Sequence, residues 1–148
     1  MHSHVAASPV PALPGEPVNP EAEIVRWCSA VLTHMRENRS LLRKSIGELE
    51  ERPDDAVSMC EGPNCAGMLL TDYILRLQAT GLADDDADIP TAVAMLMSSL
   101  YGDALMRDII PTAFPQPEDA APARYVRTLL RALGVRVVAE RPQVRSAS

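Results

Sequence analysis

Residues 89–110, IPTAVAMLMSSLYGDALMRDII, constrain the fold more than any other stretch of the chain. Val93, Leu96, Met97, Leu100, Tyr101, Ala104 and Leu105 recur at helical spacing and form one apolar stripe. Met95, Ser98, Ser99, Gly102 and Met106 lie beyond that stripe. A helix of ~32 Å that is apolar around most of its girth is packed on two sides. Such a helix is either central to its domain or shared with a second subunit. Ser98, Ser99 and Gly102 are small enough to let a neighbouring backbone approach closely.

The rest of the chain reads as helices that would surround this one. Asn19-Pro20-Glu21 is a helix start: a capping side chain, proline in the first turn, then an acid at the positive dipole end. Ile24, Trp27, Cys28, Val31, Leu32 and Met35 follow on one face, and the helix is predicted to end near Asn38. A second, shorter helix is predicted with Ser40 as its cap, Leu41, Leu42, Ile46 and Leu49 along one face, and Pro53 as its stop. The helical period returns at Ala66 and runs through Leu69, Leu70, Tyr73, Ile74 and Leu77 to Gly81. Asp88 caps the long helix, and Pro111, Pro115 and Pro117 enclose a loop around Phe114. A closing helix starts at about Glu118 or Pro122 and ends at Leu133 and Gly134. Val126, Leu129, Leu130 and Leu133 face inward; Arg124, Thr128 and Arg131 face outward. The expectation is an all-α fold of about five helices. Aromatic residues at only 3%, beside seven methionines, agree, because strands enrich aromatic and β-branched residues.

At 148 residues the chain is long enough for one domain. Residues 1–19 are a Pro/Ala-rich lead segment predicted to be extended or disordered, with Val10 or Leu13 available to lie on the body. Residues 20–136 make the helical domain, and 137–148 a polar tail. The net charge of −6 weighs against nucleic-acid binding by the chain as it stands. It is also uneven. Residues 1–119 carry 8 basic and 19 acidic groups, whereas residues 120–148 carry six arginines against Glu140 alone. An acidic body and a basic end can pair within one fold or across a dimer. No secretory leader is visible, and no apolar run reaches the roughly 18 residues of a membrane span, so a cytoplasmic protein with reduced thiols and no membrane partner is expected.

From Leu70 to Ala113 the chain resembles the C-terminal half of a TetR-family transcriptional regulator. A helix with an apolar-Tyr-apolar face ends in Gly81. An acidic loop, a long Ala/Leu/Met helix with a Tyr-Gly step, and Arg107 before a proline-bounded loop follow. The closing YVRTLLRALG fits the family's last helix, and the likeness extends loosely back to Pro20. The resemblance implies a regulatory domain whose last two long helices, about 89–110 and 118–134, pair into a four-helix dimer bundle. Ser98, Gly102, Leu105, Val126, Leu130 and Leu133 would lie at that homodimer interface. It also implies a small, mostly apolar effector in a pocket built from Trp27, Met35, Met68, Tyr73, Met97 and Tyr101. The family's DNA-binding helices should precede Pro20, where only the Pro/Ala-rich stretch stands, so a regulatory domain without its DNA-binding domain is expected.

No constellation for catalysis stands beside this. Cys60-Glu61-Gly62-Pro63-Asn64-Cys65 lacks the two further close ligands that a structural zinc site uses, so no metal and no other cofactor is expected. Cys28 and His34 are six residues apart, on different helix faces, and make no nucleophilic pair. The aspartates at 84–88 lack the alternation and distal Glu of a calcium loop. An enzyme is not expected. The alternative to the regulatory domain is a helical protein–protein adaptor without a small-molecule ligand.

Overall fold

The computed structural model describes residues 10–54 and 65–136. Among these, five helices and one short 3-10 turn form an all-α bundle. They are α1 (Pro20–Glu37), α2 (Arg39–Glu48), α3 (Ala66–Ala79), α4 (Ile89–Met106), the turn Pro111–Ala113, and α5 (Ala121–Ala132). α4 is the axis: it packs against each of the other four, and α1 packs against α5 and α2 as well. The core is one cluster drawn from α1, α3, α4 and α5, with Trp27, Tyr73, Ile24 and Leu32 among its largest fully buried side chains.

Local chemistry explains where the helices begin and end. The Asn19 side chain accepts from the Ala22 amide at 3.2 Å, and the Glu23 carboxylate accepts from the Val18 and Asn19 amides at 3.1 Å. Asp88 caps α4 in the same way, accepting from the Thr91 amide and hydroxyl. α3 and α5 both end in a paired motif on glycine. Leu82 and Gly81 donate to the carbonyls of Leu77 and Gln78; Val135 and Gly134 donate to those of Leu130 and Arg131. Both glycines have positive φ, +75° at Gly81 and +69° at Gly134. The surroundings of the two glycines differ. A Cβ at Gly81 would meet nothing, while one at Gly134 would sit 2.0 Å from Asp84 Oδ2. Asp84 also donates its amide to the Leu133 carbonyl, which docks the acidic loop on the end of α5. Gly81→Ala is therefore expected to cost about 1–2 kcal/mol, the left-handed strain alone. Gly134→Ala should cost more, because Asp84 must also move away. Denaturant melts of the two variants check the order, and equal losses would contradict it.

Three expectations need correction. Ser40 does not cap α2: the cap is Asn38, whose side chain instead donates back to the His34 carbonyl at 2.8 Å. No residue of α2 is fully buried and Leu41 and Ile46 are nearly half exposed, so the apolar face read from the sequence meets the core only in part, with Leu42 packed against it. α2 is held by arginines: Arg39 donates to the Ala104 carbonyl, and Arg43 to the Leu105 carbonyl and to Asp108. These cations sit at the C-terminal end of α4, where the helix dipole favours them. α4 itself stops at Met106 rather than Ile110. Pro111 disfavours the helical conformation at Ile110, and the chain unwinds one turn before it.

The long helix also revises the expectation about membrane spans. Ile89–Met106 is long and apolar enough, by length and composition, to cross a membrane. In the fold it is the central helix, and its one charged side chain, Asp103, is fully buried and ion-paired.

Candidate functional site

A cleft of about 650 Å³ opens between the lead segment, α1 and α3. Its apolar walls are Trp27, Val31 and Met35 of α1 and Leu69 of α3. Residues 10–13 form its other side, with Val10 and Leu13 packed against the core. Pro11 and Pro14 preset this strap to an extended course. Three polar side chains line the cleft: His34, Asp72 and Arg76. Arg76 donates to the Pro14 carbonyl at 3.1 Å, so α3 holds the strap in place. The volume lies within the roughly 300–1,000 Å³ typical of small-molecule sites.

Of the six residues expected around a ligand, Trp27 and Met35 line this cleft. The other four do not. Tyr73 is fully buried, and its hydroxyl donates to Glu23 at 2.8 Å. Burial and then the Glu23 carboxylate push the Tyr73 phenol pKa upward. Met97 is half-buried beside Gly67, and Met68 and Tyr101 are exposed elsewhere. Cys28 lies in the core, its thiol pushed up to about 12 by burial, so it is not a nucleophile near neutral pH. His34 is half-buried with Nδ1 3.3 Å from the Asn38 side-chain nitrogen. Among the described residues no group of three or more His, Cys, Asp or Glu is placed to hold a metal. The Cys60–Cys65 loop lies outside them, apart from Cys65 itself.

On the far side of α1 from the cleft stands a feature the sequence reading passed over. Asp103 is fully buried, and five donor bonds converge on its carboxylate. Arg36 donates from Nε at 3.2 Å and Nη2 at 2.8 Å, Arg107 from Nε at 3.0 Å and Nη2 at 2.6 Å, and Tyr125 from its hydroxyl at 2.8 Å. Burial acts to raise the Asp103 carboxyl, but the bonds from Arg107, Arg36 and Tyr125 outweigh it and hold the group below its ordinary value. Burial and the bond to Asp103 push the Tyr125 phenol up to about 12. Arg107 also donates to the carbonyls of Phe114 and Gln116, and Arg36 to that of Glu118. One carboxylate thus ties together α1, α4, α5 and the proline loop. Its signal in the sequence is a lone acid in an apolar helix, one turn before an arginine.

The expected dimer-interface residues also separate. Ser98 is exposed on the outer face of α4, with Ala94 and Met95 beside it. Val126, Leu130 and Leu133 are fully buried in the chain's own core, so they are not available to a second copy. Gly102 is small for another reason than the one expected. A Cβ there would lie 3.3 Å from Phe114 of the same chain. Leu105 is half-buried near the arginines of α2. The outward face of α5 carries Arg124, Arg127 and Arg131, of which Arg127 pairs with Glu21 at 3.2 Å. Of the two helices expected to pair, α4 therefore presents the uncharged exposed face and α5 a basic one.

Fold and cleft together define the class: an all-helical bundle around one central apolar helix, with a strapped, partly polar cleft on one side. Compared with protein-family models, with curated proteins and with solved structures, the chain matches none.

Proposed function

We propose that the chain is the ligand-binding and dimerisation domain of a TetR-like transcriptional regulator, taking a small, mostly apolar effector. The observation that carries this reading is the cleft, which has the volume and apolar walls of a small-molecule site and a chain segment as its cover. The uncharged outer face of α4 supports self-association, since an exposed apolar face on a central helix marks a contact surface. α1 offers the route between the two. One of its faces lines the cleft through Trp27, Val31 and Met35, and Arg36 on it grips Asp103 of α4. A ligand that favours one placement of α1 shifts α4 and α5 with it. In a complete regulator that shift of population would change the spacing of the DNA-binding heads.

The test is size in solution at micromolar concentration, by light scattering coupled to gel filtration. A dimer is expected. A strict monomer would overturn the dimerisation half of the reading.

A further inference from the structure

We infer that the effector is an amphipathic monocarboxylate and that Arg76 receives its headgroup, an inference that rests on reading the cleft as the ligand site. Arg76 stands where a charged side chain is hard to explain by packing. It lies between Leu75 and Leu77 on α3, half-buried, with its guanidinium carbon 5.7 Å from the Tyr73 ring centroid. One terminal nitrogen serves the strap at Pro14. Its Nε is buried and has no hydrogen-bond partner among the described residues. A buried donor left unpaired costs about 1–3 kcal/mol, and since Nε is shielded from solvent, a ligand's acceptor reaches it as the strap held at Pro14 gives way. A guanidinium is charged at every relevant pH, and its strongest partner is an anion that accepts in its plane. The walls beside it are Trp27, Val31, Met35 and Leu69, which suit an apolar tail. Asp72, exposed and one turn before Arg76, also lines the cleft. Its charge opposes a dianion such as a phosphate monoester more than a single carboxylate, which selects the latter.

Decanoate and decanol are the probes, because they share a tail and differ in the charge of the head. Trp27, the chain's only tryptophan, lines the cleft and reports binding by its fluorescence, with calorimetry as the second readout. Wild-type protein is expected to bind decanoate at least about tenfold more tightly than decanol, the effect of one hydrogen bond to a charged group. Arg76→Gln should abolish the preference, bringing decanoate down to the level of decanol. Asp72→Asn should strengthen decanoate only. Equal binding of the two probes by the wild type, or unchanged decanoate binding in Arg76→Gln, would overturn the carboxylate assignment and leave the ligand cleft standing. Equal weakening of both probes in Arg76→Gln, with the preference for decanoate intact, would limit Arg76 to holding the strap, and overturn it too. Binding of neither probe would overturn both the assignment and the cleft as an apolar ligand site.

Discussion

Replacing Asp103 by alanine is expected to destabilise the fold by about 3–5 kcal/mol. For a chain of this size the melting temperature should fall by roughly 10–20 °C. The cause is what remains behind. Arg36 and Arg107 are largely buried, and both direct their guanidinium groups at the same carboxylate. Without it, two cations face each other in a low-dielectric region and the Tyr125 hydroxyl loses its acceptor. Asp103→Asn keeps the shape and one acceptor oxygen but removes the charge, so its loss should be smaller yet clear. Acid provides an independent check. The folded-state pKa of Asp103 lies below its ordinary value of 3.8. The stabilisation is therefore fully present above about pH 4 and disappears as the pH falls through the depressed value. A wild-type stability profile should drop across that acid range, and the Asp103→Asn profile should be flatter there. An alanine variant melting within about 3 °C of the wild type would show that the network adds little.

Asp103 also marks the limit of what could be read before the fold was known. Helix boundaries at Asn19-Pro20, Asp88-Pro90, Gly81 and Gly134 were legible because each is decided within a few residues: a side chain meets an amide three positions on, or a glycine adopts a positive φ. The inward stripes of α1 and α3 were legible because burial repeats with the helical period. What each polar side chain meets was not. Arg36 and Asp103 are 67 positions apart, Arg76 and Pro14 are 62 apart, and nothing local links them. The docking of α2 was hidden for the same reason. Its apolar spacing gave one face of a short helix, but arginines reaching the end of α4 decide its position. The cleft was half legible: the face holding Trp27 and Met35 could be read from α1, and Val10 and Leu13 could be expected on the body, but not that residues 10–13 would wall a cleft there. Gly102 was legible as a position that needs a small residue, but not its neighbour within the chain, Phe114, which reaches it through the proline loop.

If the chain dimerises as proposed, the exposed, uncharged outer face of α4 is the surface to test. On the proposed dimer, Ser98→Glu is expected to weaken association at least about a hundredfold, alone or with Ala94→Glu. Both positions are exposed, so neither change disturbs the core, and helix content and unfolding should remain those of a folded chain. A two-fold contact is made by the same patch on both copies, so each substitution introduces two carboxylates into one interface. Like charges brought together at a contact cost several kcal/mol, and each 1.4 kcal/mol is tenfold in affinity. α5 should matter less. Its exposed side carries Arg124, Arg127 and Arg131, which would repel their counterparts across a symmetric axis. Arg131→Glu is accordingly expected to leave the dimer intact or strengthen it slightly. Thr33→Glu, exposed on α1 away from α4's outer face, serves as the control for added negative charge. Sedimentation velocity over a concentration series reads the wild type and the four variants on one scale. If Ser98→Glu sediments as the wild-type dimer while Arg131→Glu dissociates, the contact belongs to α5, and the assignment of the uncharged face to self-association is wrong.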